Sequence, residues 1–277
     1  MEIYTVQSGD TVYGIAQRFG VPESRIVTDN FITEPSRLTV GQSLIIQFPS
    51  ETYRVRGGDT LLSIARETGI GITELWQNNP ALGGRTDIFP GQVLNIRYPG
   101  AKLGEIVTTG YAYPFIEERV LRATLPFLTY LSIFSYGFRE DGSLIEPIGG
   151  DEKLLALSKE YGTVPMLTLT SINENGTFST EKVDQLLSSP QLYGAVARSL
   201  AETVEEKGYG GVDLDFEYIP TDRAQAYADF ARQVKGQLPA GAQLFIALAP
   251  KTSATQGGCC TKGTGTTCWG KRQTGCC

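Results

Sequence analysis

Three acids recur at every second position in the stretch GGVDLDFEY, residues 210–218: Asp213, Asp215 and Glu217. Side chains alternate faces along a β-strand, so the three carboxylates share one face and Val212, Leu214 and Phe216 share the other. A strand with one fully apolar face and acids on the other reads as the covered strand of a parallel sheet, with its carboxylates pointing into an enclosed space. Carboxylates held together away from water cannot all ionise freely, so the pKa of one rises. An acid that keeps its proton near neutral pH can donate it to an ether or glycosidic oxygen. The alternative is a plain solvated face with no chemistry.

Few other chemistries are open to this chain. It has no histidine, and all five cysteines (Cys259, Cys260, Cys268, Cys276 and Cys277) crowd into its last residues. Residue supply therefore excludes a zinc site or a Ser/His/Asp or Cys/His system from the main body. No cofactor or metal is expected. The net charge of −6 and the lack of a basic stripe argue against a nucleic-acid partner. No apolar run reaches the roughly 20 residues that span a membrane. The start, MEIYTVQSGD, has neither a basic nor an apolar region, so no Sec signal peptide is expected. A monomer is expected.

An internal repeat precedes the acidic strand. YTVQSGDTVYGIAQRFGV (residues 4–21) and YRVRGGDTLLSIARETGI (residues 53–70) align at an offset of 49 without gaps. Each copy reads as a strand, a Gly-Asp-Thr turn, two short helices, a Gly-Gln turn and a closing strand. Asp10 and Asp59 are placed to cap the first helix of each copy, and Gly20 and Gly69 to stop it.

This pattern resembles the LysM domain, a βααβ module that binds N-acetylglucosamine-containing glycans such as peptidoglycan and chitin. The resemblance covers residues 1–48 and 52–98. It implies a shallow glycan groove between two loops in each copy. Those are Gly9, Asp10 and Thr11 with Phe31 in the first, and Gly58, Asp59 and Thr60 with Pro80 in the second. Two copies in tandem would raise avidity for a long polymer, and a spore or cell wall is the expected location.

Downstream of a linker at residues 98–104, apolar runs alternate with helical patterns. Strands are expected at residues 104–113, 130–138, 164–171, around the acids, and at 244–250. Helices are expected at 151–161, capped by Asp151 and stopped by Gly162, and from Pro190 to Gly208. A further helix carries Tyr227, Phe230, Ala231 and Val234 on one face. Asn175-Gly-Thr, formally a glycosylation sequon, reads as an Asn-Gly turn. Strand–helix alternation predicts a parallel α/β sheet, and in a barrel of that type reactive groups sit at the C-terminal strand ends.

The acidic strand resembles the family 18 glycoside hydrolase signature D-x-x-D-x-D-x-E in its last three acids; Gly210 stands where the first would be. The resemblance implies a (β/α)8 TIM barrel beginning at residue 103 and a retaining, substrate-assisted mechanism. The substrate's own acetamide would attack the anomeric carbon, an exception to the usual two-carboxylate scheme. Carried over, Glu217 is the general acid and then base, Asp215 holds the acetamide and Asp213 steadies Asp215. Tyr218 and Tyr111 would line the sugar site. Together with the two repeats, the layout resembles the LysM-containing spore cortex-lytic enzymes, with peptidoglycan as substrate and chitin as the alternative. A non-catalytic wall-binding protein is the competing reading.

Residues 103–256 offer five strands, whereas a closed barrel takes eight in roughly 250 residues. The segment 257–277, GGCCTKGTGTTCWGKRQTGCC, has no aliphatic residue. Back-translated and shifted in frame, it can yield an ordinary helical segment, so a reading-frame shift is expected there, with a disulfide or metal knot as the alternative. On that basis hydrolysis by this chain is expected to be weak or absent, with glycan binding retained.

Overall fold

The computed structural model describes residues 1–102, 104–216, 219 and 221–248. Glu217, Tyr218 and the 257–277 segment lie outside the described residues. The chain divides into two compact units: Met1–Ile106 with Glu117–Phe127, and Val107–Ile116 with Leu128–Cys277.

The first unit contains two βααβ modules. In module 1, β1 (Glu2–Thr5) and β2 (Ser43–Ile46) pair antiparallel with Tyr4 opposite Leu44, and α1 (Val12–Phe19) and α2 (Glu23–Asp29) lie between them in sequence. Tyr4, Val6, Val12, Ile15, Ala16, Ile26, Leu44 and Ile46 form the core, which is why alternation in the strands and i, i+3, i+4 spacing in α1 were both required. Module 2 repeats this with β3 (Glu51–Arg54), α3 (Leu61–Thr68), α4 (Ile72–Asn78) and β4 (Val93–Arg97). Gly20 and Gly69 end α1 and α3 in the left-handed region, at φ 66° and 67°. The unit also includes α5 (Glu118–Thr124).

The helix caps differ from expectation. Thr11 caps α1, its hydroxyl accepting from Gly14 N at 3.0 Å, and Thr60 caps α3 through a reciprocal capping box with Ser63. Asp10 and Asp59 stand one residue too early to reach the free amides of the helix. Their carboxylates close the preceding turn, each accepting from a backbone N–H at 2.7 Å, that of Gln7 and Arg56 respectively, and from the Tyr4 or Tyr53 hydroxyl. The Gln7 and Tyr4 bonds hold the Asp10 carboxyl below the usual range.

Asn30 and Asn79, also repeat-matched, tie α2 and α4 to the closing strands. Each amide donates to a carbonyl of its own helix and to one on β2 or β4, and accepts from the facing strand N–H.

The second unit is a parallel α/β sheet. Its strands are β5 (Thr109–Ala112), β6 (Tyr130–Phe138), β8 (Val164–Leu169), β9 (Gly211–Leu214) and β10 (Gln243–Ile246), hydrogen-bonded in the order β10-β9-β8-β6-β5. A two-residue β7 (Leu144–Ile145) adds antiparallel to β6. The helices are α6 (Glu152–Tyr161), α7 (Thr180–Ser188), α8 (Pro190–Lys207) and α9 (Ala224–Gln237). Gly162 and Gly208 end α6 and α8 as expected, at φ 73° and 72°, and Asn175 makes the expected turn, accepting from Thr177 N at 3.1 Å.

Ring contacts measure how far this sheet curls. Tyr130 on β6 and Phe245 on β10 are three strands apart, which in a flat sheet is about 14 Å. Their ring centroids are 4.8 Å apart. The described strands thus form a strongly curved, open arc consistent with part of a (β/α)8 barrel; no closed barrel is formed among the described residues.

Asp151 does not cap α6. Its side chain is fully buried, accepts from the hydroxyls of Tyr136 and Tyr209 at 2.5 Å each, and pairs with Lys207 at 3.0 Å. Burial alone would raise this carboxyl, but the two hydroxyls and the ammonium outweigh it and hold it below the usual range. Two aromatic hydroxyls and a cation on the sheet's outer side satisfy it better than a helix terminus would.

Candidate functional site

The acidic strand is next to the edge strand of the curved sheet, paired on one side with β8 (Asp213 opposite Thr168) and on the other with β10 (Asp213 opposite Phe245). Regular pairing ends at Leu214, but the alternation of faces continues. Val212 and Leu214 are fully buried on the outer face. Phe216 follows them, packing against Phe138, Tyr227 and Phe230 with ring centroids 5.8–6.2 Å apart. That apolar wall turns Asp213 and Asp215 toward the concave side.

Asp213 is 1 % exposed. Its Oδ2 accepts from Ser132 Oγ at 2.8 Å, and the Tyr111 hydroxyl also hydrogen-bonds to it. Burial holds its carboxyl above the usual range, and these two bonds oppose the shift without cancelling it. Desolvation, rather than the crowding of like charges expected from the sequence, is therefore the leading cause. Asp215 is half-buried just past the strand end, its backbone N–H donating to Leu169 O at 2.9 Å. Below it, the Tyr227 hydroxyl reaches Leu214 O at 3.4 Å. Tyr227 ionises well above the usual tyrosine range, first through burial and then through the charges of Asp215 and Asp213.

Asp213 opens onto a cavity of about 350 Å³ lined by Thr109 and Tyr111 from β5, Phe245 and Ile246 from β10, and Ala247 and Leu248 beyond it. Tyr111, half-exposed, stands edge-on to Phe134. Tyr113 contacts Phe134 in the same way and stacks on Phe115 at 5.0 Å. A pocket with apolar and aromatic walls and one buried carboxyl suits a sugar ring, whose faces are apolar and whose edges are polar.

Space explains the missing first acid of the signature. A Cβ on Gly210 would come 2.0 Å from Val164 Cγ1, so a side chain there requires the Val164 side chain to move. Of the residues expected to do chemistry, Asp213 and Tyr111 are hydrogen-bonded at the cavity, and Asp215 follows two positions on, half-buried. Glu217 and Tyr218 lie outside the described residues. Ser132 was missed, although a serine at an inward position of the apolar run YLSIFSYGF was a visible signal.

The groove residues of the two modules are not alike. Gly9 and Gly58 hold corresponding left-handed turns at φ 88° and 89°, with Asp10 and Thr11, and Asp59 and Thr60, beside them. Phe31 is 67 % exposed. Its counterpart, Pro80, instead opens the one-turn 3-10 helix Pro80–Leu82.

The LysM domain family matches residues 4–47 and 53–97. The cortical fragment-lytic enzyme of Bacillus anthracis is 34 % identical over 93 % of this chain and 60 % of its own length. The crystal structure of the spore cortex-lytic enzyme SleL of Bacillus cereus superposes with a TM-score of 0.70 at 32 % identity, covering 95 % of this chain and 61 % of that one. A class V chitinase of Pseudomonas fluorescens shares the fold at 23 % identity and a TM-score of 0.51, over 57 % of this chain and 49 % of its own. The chain thus spans about 60 % of the length of the curated relatives it matches.

Proposed function

We infer that this chain, which carries two LysM domains and is homologous to spore cortex-lytic enzymes of chitinase-like fold, is a peptidoglycan-binding glycoside hydrolase of spore germination. It cleaves β-1,4 bonds after N-acetylglucosamine. The observation that carries this reading is the buried Asp213 carboxyl, held by Ser132 and Tyr111 at the cavity in the curved sheet.

In this reading the modules hold the polymer and the cavity takes one N-acetylglucosamine. Glu217 protonates the glycosidic oxygen while the substrate's acetamide oxygen attacks the anomeric carbon. Asp215 orients that acetamide and stabilises the positive charge of the oxazolinium ion. Asp213 shares a hydrogen bond with Asp215 and holds it in position. Glu217, now a carboxylate, deprotonates the water that opens the ring, and configuration is retained. Peptidoglycan is preferred to chitin because the relatives above 30 % identity that match more than 90 % of this chain are cortex-lytic enzymes, whereas the chitinase likeness is one of fold. The protein would act at the spore or cell wall, as a monomer.

The test is release of N-acetylglucosamine-terminated fragments from spore cortex peptidoglycan, beside retention on the insoluble polymer. With only part of a barrel among its described residues, this chain is expected to be retained while releasing little or nothing, and any release is abolished, with retention kept, in Glu217→Gln. Clear release that is lost in Glu217→Gln would show that the partial barrel suffices for hydrolysis, and failure of retention would remove the glycan-binding reading. Release that survives Glu217→Gln would remove the assigned acid.

A further inference from the structure

The two LysM modules match in sequence but differ in what their groove loops touch. Phe31 of module 1, at the C-terminal end of α2, is 67 % exposed with φ 51°, a left-handed conformation rare for an aromatic residue. In module 2 the aligned turn is built into the first unit. Leu82 is 5 % exposed, and α2 of module 1 lies against the Pro80–Leu82 turn. Gly84 follows at φ 70°, so close to α5 that a Cβ would fall 2.0 Å from the Arg122 carbonyl oxygen. Two further bonds anchor the same region. Trp76 Nε1 donates to Arg85 O at 3.0 Å, and Gln77 Nε2 donates to Pro126 O at 2.6 Å.

We propose that the modules have divided their labour: module 1 makes the principal glycan contact through its exposed Phe31, and module 2 uses its own groove loop as an internal brace. This rests on the reading of the LysM domains as peptidoglycan-binding and goes beyond it by assigning the contact to one copy. Two arguments support it. An exposed aromatic ring offers the apolar face of an N-acetylglucosamine unit a stacking surface. A loop that packs on α2 and α5 cannot adjust to a sugar without disturbing both. The avidity expected of two equal sites is then replaced by one site on a braced support.

The experiment is retention of the full chain on insoluble peptidoglycan over a concentration series, with folding followed by far-UV circular dichroism. Phe31→Ala removes the ring from an exposed position, and Ala81→Arg places a bulky cation at an exposed position of the module 2 loop. The expected result is about a tenfold loss of affinity for Phe31→Ala and a change of less than about twofold for Ala81→Arg. Equal losses from both variants, or a loss confined to Ala81→Arg, would overturn the division of labour. Failure of the native chain to be retained would instead remove the glycan-binding reading, and this inference with it.

Discussion

Asp213→Asn should make the protein more stable near neutral pH while impairing hydrolysis. The carboxyl is 1 % exposed and held above the usual range by burial, against the opposing bonds from Ser132 and Tyr111. An acid with a raised folded-state pKa binds its proton more tightly folded than unfolded. Below the unfolded value of about 3.9 the carboxyl is neutral in both states and carries no penalty. As pH rises through the window up to the folded pKa, stability is lost, and above it the full penalty remains. Asparagine has nearly the same volume and no charge, so it removes that penalty.

The cost of the substitution is smaller. Two hydrogen bonds to a charged group, worth roughly 1.5–3 kcal/mol each, become neutral ones worth about 1 kcal/mol, and the Ser132 and Tyr111 hydroxyls can rotate to meet the amide. Because the raised pKa already includes those bonds, the balance at neutral pH favours asparagine, by on the order of 1 kcal/mol or about 2–4 °C in Tm. The assay is thermal unfolding of both proteins near pH 7 and near pH 3, where the carboxyl is neutral in both states. A gain at the higher pH that vanishes at the lower is expected. A variant less stable by the same amount at both values would refute the argument, showing that Asp213 is held by its bonds and not penalised by its charge.

Asp151 gives the opposite sign, since its two tyrosine hydroxyls and Lys207 depress its pKa. Its contribution is complete above the unfolded value near 3.9 and fades as pH falls through the folded one. Asp151→Ala, which leaves the Lys207 ammonium and both hydroxyls without their buried partner, should cost about 3–5 kcal/mol in denaturant unfolding near pH 7, with a smaller loss in acid. Gly84→Ala should cost about 3 kcal/mol in the same measurement, because it combines a left-handed φ with a clash against the backbone carbonyl of Arg122. Thr60→Ala removes the α3 cap and should cost about 1 kcal/mol, whereas Asp59→Asn, which only loosens the preceding turn, should cost less.

What the sequence revealed follows from the range of each interaction. The nine-residue β6 strand, the helix ends at Gly20, Gly69, Gly162 and Gly208, and the apolar face formed by Val212, Leu214 and Phe216 depend on neighbours within a few positions. All were legible as periodicity or as glycine punctuation. The role of the acids nearest the helices was not. Asp10, Asp59 and Asp151 each stand where a cap was expected, yet each is held by a tyrosine hydroxyl. A propensity rule sees a carboxyl before a helix, not a ring that returns to it in three dimensions. Ser132 meets Asp213 across 81 residues of sequence, a contact that exists only because the sheet curls.

That curl also explains why the acidic strand begins with two glycines. A Cβ on Gly211 would lie 2.0 Å from the Gln243 carbonyl oxygen, and one on Gly210 equally close to Val164 Cγ1. The β10 backbone therefore closes on Gly211, and a side chain of β8 closes on Gly210. A side chain at Gly211 would push β10 away from β9 and carry Phe245 from Tyr130. The acid of the family signature that Gly210 replaces would sit at this pinch. An acid there would displace the Val164 side chain, whereas Asp213, three residues on, is enclosed by its bonds to Ser132 and Tyr111.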